Sequence, residues 1–177
     1  MSDHRAIFLD RDGVLIETVM IDDKPHPPES WLKTRIYPDV PSSLKRFKTE
    51  GFLLIVISNQ PDVARGKQTR EGVENINSGL MSQLPLDDIL VCYHDDADQC
   101  DCRKPKIGMI LEAAQRFSID LPSSFVIGDR DKDVQAGKNA GCQTIFIDRG
   151  YKEEKPSPPA DLTVSSLDEA VDWIIAR

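Results

Sequence analysis

Short apolar clusters, many of them β-branched, recur along the chain at Ala6–Leu9, Phe52–Ile57, Ile89–Tyr93, Ser124–Ile127 and Thr144–Ile147. Each is strand-length and continuously apolar, the pattern of a strand buried on both faces. The stretches between them have helical spacing: Val40, Leu44 and Phe47 before Gly51, and Ile107, Ile110, Leu111, Ala114 and Phe117 after Pro105. Thr69 is placed to cap a third helix, Asp131–Ala140 before Gly141 gives a fourth, and Ser166 with Glu169 has capping-box spacing for a terminal helix reaching Ile175. Strands alternating with helices predict a three-layer α/β/α, Rossmann-like parallel sheet, with ligands expected at the carboxyl ends of the strands. At 177 residues, 40% of them hydrophobic, the chain is expected to form a single domain, 1–177. Two segments read as irregular. Ile21–Trp31 holds four charges and three prolines and is expected to be a substrate loop; Tyr151–Ala160 is expected to be a plain surface connection.

The 30 acidic against 22 basic residues give a net charge of -8, which opposes a large basic face for nucleic acid or anionic lipid. No apolar run approaches the roughly 18 residues of a membrane-spanning helix, and the opening Met-Ser-Asp-His-Arg is unlike a secretion signal, so a cytoplasmic location is expected. Reducing conditions there disfavour disulfides, so clustered Cys and His point to metal. Cys92, His94, Cys100 and Cys102 supply three thiolates and one imidazole, a closed tetrahedral set for structural zinc in the loop 92–102. Cys142 reads as a packing residue, and His4 and His26 as solvated.

Polar groups follow the apolar clusters. After the first comes Asp10-Arg11-Asp12-Gly13. Side chains two apart on an extended chain share a direction, so Asp10 and Asp12 converge while Arg11 points elsewhere. Two such carboxylates can hold a divalent cation, or divide into a nucleophile and an acid/base. The second cluster ends in Ser58-Asn59-Gln60, the third leads into the Cys/His loop and Arg103-Lys104, and the fourth runs into Gly128-Asp129-Arg130-Asp131-Lys132-Asp133. Singly, Ser58 could cap a helix, Lys104 could be solvated, and the acids could complement a helix dipole. Together they imply one polar site at one sheet edge.

Phe-Leu-Asp10-Arg-Asp12-Gly, Ile-Ser58-Asn-Gln, Cys-Arg103-Lys104-Pro and Ile-Gly-Asp129-Arg-Asp-Lys-Asp133 resemble the four ordered motifs of the haloacid dehalogenase superfamily of phosphohydrolases. Cys-x-His-x5-Cys-x-Cys-Arg-Lys-Pro is similar to its small capless branch, which contains heptose bisphosphate and histidinol-phosphate phosphatases. The resemblance implies a capless haloacid dehalogenase-type fold and a phosphomonoesterase. Asp10 would attack phosphorus to form an aspartyl-phosphate, and Asp12 would protonate the leaving oxygen and later activate water. Mg2+ would be held by Asp10, the backbone carbonyl of Asp12 and Asp129. Ser58 would hydrogen-bond the phosphoryl group and Lys104 would stabilise its charge. Asp133 would assist the metal through water or cap its helix.

Ala64-Arg65-Gly66-Lys67 is similar to the heptose bisphosphate phosphatases. Asn59, Gln60, Arg65, Arg103 and Arg130 are therefore the expected substrate-binding residues, and the expected partner is a small phosphorylated metabolite, a sugar bisphosphate, bound by a monomer. Pro61-Asp62 stands where that family has Ser-Gly, and Glu17–Trp31 is longer than its counterpart there. Histidinol phosphate and a non-catalytic zinc-bearing interaction module are the other readings of the same residues.

Overall fold

The computed structural model describes residues 4–177. Six strands form one parallel sheet: β1 (Ala6–Leu9), β4 (Leu53–Asn59), β5 (Asp88–Cys92), β6 (Phe125–Gly128), β7 (Gln143–Ile147) and β8 (Leu162–Val164), in the order β5-β4-β1-β6-β7-β8. Period-2 alternation sends Ile7 and Leu9 of β1 into one core and Ala6 and Phe8 into the other. The first core is closed by α1 (Val40–Thr49), α2 (Arg70–Gln83) and α5 (Leu167–Ile175), the second by α3 (Gly108–Phe117) and α4 (Asp131–Ala140). This is the expected three-layer α/β/α sandwich. Both faces of the sheet need cover, which is why the bodies of its central strands β1, β4 and β6 are apolar.

The five anticipated strands lie within two residues of their apolar clusters; β8 was not anticipated, because three residues carry no periodicity. Helix ends follow the sequence. Thr69 Oγ1 accepts from the Gly72 N–H at 3.0 Å, Ser166 Oγ accepts from the Glu169 N–H at 3.3 Å, and Gly141 closes α4 at φ +80°. The Glu169 carboxylate reaches back to Ser165 rather than Ser166, so the capping box is displaced by one residue.

Within Glu17–Trp31, the stretch expected to be an irregular substrate loop, β2 (Val19–Ile21) and β3 (Lys24–His26) form an antiparallel hairpin. Asp22 and Asp23 turn it at φ +49° and +60°, the positive pair that a two-residue hairpin loop requires. Asp tolerates this conformation because its short polar side chain can bond locally, but Asp-Asp is a far weaker signal than Asn-Gly. No helix among the described residues is long and apolar enough to cross a membrane.

The chain runs outward from β1 in both directions, through β4 to β5 and through β6 to β8. The connections on the two sides of β1 therefore diverge and leave a crevice at the carboxyl ends of β1, β4 and β6.

Candidate active site

Asp10 follows β1 directly, its N–H bonded to the Ile127 carbonyl of β6 at 3.0 Å, so the sheet ladder fixes its backbone. Lys104 lies over the end of β4. Its Nζ donates to Asp10 Oδ1 at 2.9 Å and to the Ile57 carbonyl at 2.7 Å, and pairs with Asp133 Oδ1 at 2.8 Å. Asn59 sets the height of this lysine: its Nδ2 donates to the Lys104 carbonyl at 3.1 Å and its Oδ1 accepts the Lys104 N–H at 3.0 Å. Asp133 accepts the Arg130 N–H at 3.2 Å with its other oxygen, so it caps α4 as well as pairing with Lys104.

Asp12 is braced from two sides. Gln60 Nε2 donates to its Oδ2 at 2.7 Å and to Ser58 Oγ at 2.8 Å. Arg11, fully buried, turns away from the crevice as expected but folds back beneath Asp12, with Nε and Nη2 3.2–3.3 Å from that carboxylate and Nη1 2.9 Å from Asn77 Oδ1. Sequence reasoning assigned Arg11 no role; pairing with Asn77, 66 residues away, leaves no local signal.

Asp129 is 2% exposed, and neither of its carboxylate oxygens has a hydrogen-bond partner. One oxygen each from Asp10, Asp129 and Asp133 can be gathered within 4.8 Å. Burial, then the Asp10 and Asp133 charges, raises Asp129 well above the usual carboxylate range. Burial works to raise Asp10 as well, but the Lys104 ammonium overrides it and the net shift is downward. Buried polar atoms without partners are rare, and a buried carboxylate facing two others calls for a cation. The all-oxygen donor set suits Mg2+. Gly13 is required here: at φ +92°, a Cβ would lie 1.9 Å from Asp129 Oδ2.

Beside this floor, Cys92, His94, Cys100 and Cys102 bring their donor atoms within 4.8 Å of one another. Cys102 Sγ stands 2.7 Å from Cys92 Sγ and 3.3 Å from His94 Nδ1, and all three cysteines are free. Three sulfurs and a ring nitrogen converging on one point fit a tetrahedral zinc site with no open position. Cys142 is buried in the second core, as expected of a packing residue.

A cavity of about 320 Å³ opens above the carboxylates. Of the sequence-predicted residues, Asp10, Asp12, Asn59, Gln60, Arg65, Arg103, Lys104 and Arg130 line it; Ser58 lies buried under Gln60, and Asp129 lies outside the lining. Arg65 is not a free cation, since Asp95 holds it bidentately at 2.6 and 2.7 Å and Asp62 lies 3.4 Å away. The same pairing absorbs the charge that Pro61-Asp62 brings to the pocket. Arg130 Nη2 donates to the Pro25 carbonyl at 2.9 Å, which ties the β2–β3 hairpin to the site.

His26, read as solvated, is partly exposed and lines the cavity because the hairpin folds over it. One expectation is corrected. The segment Tyr151–Ala160, read as a plain surface connection, reaches the site: Tyr151 Oη lies 3.1 Å from Thr18 Oγ1 and Glu153 lines the cavity, while Arg149, just before it, donates from Nε to the Gly13 carbonyl at 2.7 Å. Lys24, Asp96 and Lys132 also line it without having been singled out.

A doubly wound sheet whose first strand delivers two aspartates to a crevice, against a lysine and a further acidic pair, defines the class of haloacid dehalogenase-like hydrolases. The profile described as "HAD-hyrolase-like" matches residues 101–170. A D-glycero-beta-D-manno-heptose-1,7-bisphosphate 7-phosphatase of Helicobacter pylori (strain J99) is 33% identical, the match covering 97% of each chain. The protein of that name from Escherichia coli (strain K12) is 31% identical over 96% of this chain and 87% of its own. Among solved structures, a putative HAD-like phosphatase from Mesorhizobium loti superposes with a TM-score of 0.79 at 27% identity, covering 98% of this chain and 85% of that one. The D,D-heptose 1,7-bisphosphate phosphatase of B. bronchiseptica, solved with magnesium and phosphate, shares the fold with a TM-score of 0.79 at 24% identity, covering 97% and 98%. The chain belongs to the D-glycero-D-manno-heptose 1,7-bisphosphate 7-phosphatase family of haloacid dehalogenase-like hydrolases.

Proposed function

We propose that this protein is a Mg2+-dependent phosphomonoesterase that removes the 7-phosphate of D-glycero-D-manno-heptose 1,7-bisphosphate. The observation that carries the reading is Asp10 held ionised by Lys104 at 2.9 Å beside the partnerless carboxylate of Asp129. The ionised Asp10 oxygen attacks phosphorus and the P–O bond to the sugar breaks. Asp12, oriented by Gln60 and Arg11, delivers a proton to the departing sugar oxygen. It then takes a proton from the water that cleaves the aspartyl-phosphate, which frees orthophosphate and restores Asp10. Lys104 balances charge shared by Asp10 and the phosphoryl group, and Ser58 Oγ hydrogen-bonds the phosphoryl group once Gln60 yields it. Asp10, Asp129 and the Asp12 carbonyl would hold Mg2+, which supplies charge compensation for an anion meeting an anion. The Cys/His set would hold structural zinc and keep Arg103 and Lys104 in register.

The heptose substrate is supported by relatives of that name that align along nearly the whole chain, and by a cavity with room for a sugar and cations beyond Lys104. Residues 1–177 act as one domain, as a monomer in the cytoplasm; in support, one six-stranded sheet takes strands from Ala6 to Val164 and all four cysteines are free. Phosphate release with Mg2+ should be fastest on the heptose bisphosphate among sugar mono- and bisphosphates and histidinol phosphate. A preference for histidinol phosphate overturns the substrate, and no turnover of any phosphoester overturns the reaction.

A further inference from the structure

Arg149 stands two residues past the end of β7, and its side chain reaches back to the turn that follows β1. Its Nε donates to the Gly13 carbonyl at 2.7 Å and its Nη1 to the Ser165 carbonyl at 3.3 Å, while the guanidinium lies over the Tyr37 ring, 3.9 Å from the centroid. Nη2 is buried without a partner. An arginine placed only for its own stability would not leave a buried donor idle, so the bond to Gly13 is the feature to explain.

Gly13 needs holding. Its φ of +92° brings it against Asp129, where any side chain would strike Oδ2. Glycine enters and leaves that region of conformation freely, so nothing in its own chemistry keeps it there. Two hydrogen bonds do: its N–H donates to the Ile16 carbonyl at 2.8 Å, and its carbonyl accepts from Arg149. The Asp12–Gly13 peptide is trans, and in a trans peptide the carbonyl points opposite to the N–H. Fixing the Gly13 N–H on Ile16 therefore turns the Asp12 carbonyl the other way. The first bond is local to the turn; the second comes from 136 residues away and is made by a side chain.

We propose that Arg149 is a positioning residue for the metal: by clamping the Gly13 carbonyl it holds the Asp12–Gly13 peptide in the orientation that presents the Asp12 carbonyl to a cation shared with Asp10 and Asp129. This rests on the Mg2+ site proposed above and adds to it a residue that touches neither cation nor substrate. Arg149 lies outside the four sequence motifs, after a strand that none of them follows.

The test is calorimetric titration of Mg2+ into the zinc-loaded full chain, comparing wild type, R149M and R149K. R149M keeps an apolar stem over Tyr37 and removes the donor; R149K returns one donor. R149M should bind Mg2+ about tenfold more weakly, the lower end of what losing a residue behind a metal ligand costs. R149K should recover most of that loss. The Mg2+ concentration that half-activates phosphate release should rise by the same factor, with the plateau kept at saturating Mg2+. R149M that binds Mg2+ as tightly as wild type overturns the proposal. So does a loss that R149K leaves uncorrected, a plateau that excess Mg2+ does not restore, or an R149M chain unfolded by circular dichroism, since each makes Arg149 a packing residue only. Wild-type protein that binds no Mg2+ overturns the metal site of the proposed function, and this inference with it.

Discussion

The carboxylate floor and the Cys/His loop both crowd electron-rich donors into a few ångströms, yet they are held by different means. The floor sits on the ends of fully buried strands: the Asp10 N–H joins the sheet ladder, and Lys104 is tied to the Ile57 carbonyl and to Asn59. The loop runs through Asp95, Asp96, Asp98, Gln99 and Asp101, with little apolar side chain to pack it. Its fixed points are the donor cluster and the ion pairs of Asp95 with Arg65 and Asp96 with Arg103. Packing therefore positions the first set, while the second is left to its ion pairs and to the ligation that a metal at the donor cluster would supply. Removing a donor should cost the floor chemistry and the loop order.

The largest effect should come from D10N, which removes the proposed nucleophile without changing the shape of the side chain. Turnover in a phosphate-release assay should fall by more than about 10³-fold with an unchanged circular dichroism spectrum. D12N should cost about 10²–10⁴-fold in kcat, the range for a general acid/base, with substrate binding retained. On the loop side C102S should lose about 10–100-fold, together with zinc by metal analysis and with thermal stability. Equal stability of C102S and wild type would mean that packing holds the loop, and would erase the contrast.

Magnesium should also separate the two regions through pH. The folded-state pKa of Asp129 is raised, so the folded, metal-free protein holds a proton that the unfolded chain releases above about pH 4. Stability contributed by that proton is present below the unfolded pKa and falls as pH rises toward the folded one. Mg2+ replaces the proton, so the melting-temperature gain on adding Mg2+ should be larger at pH 7.5 than at pH 5. A gain that is flat with pH would show that the cation does not bind at Asp129. The smallest effect is expected at R65M, which breaks an ion pair whose arginine is 39% exposed and should cost under about 1 kcal/mol of stability by denaturant titration.

Asp10, Asp12 and Asp129 were legible because strand periodicity is local, and the Cys/His set because of its residue types and spacing. Once an apolar cluster is recognised as a buried strand, the residue after it must emerge at the sheet edge. The hairpin and β8 were not legible, because an Asp-Asp turn and a three-residue strand are stabilised by what they pack against rather than by their own pattern.

The sequence by itself determined the alternation of strands and helices, the edge on which the chemistry lies, and which acids and thiols gather there. Only the tertiary structure decided how the charges are shared. It spent Arg65 on Asp95, buried Arg11 beneath Asp12, covered Ser58 with Gln60, brought Glu153 and the hairpin to the cavity, and left Lys132 and one nitrogen of Arg103 free. Backbone geometry repeats every two or 3.6 residues and can be counted along a chain. The partner of a charge is chosen among groups that meet only when distant segments pack, as Lys104 meets Asp10 across 94 residues of sequence.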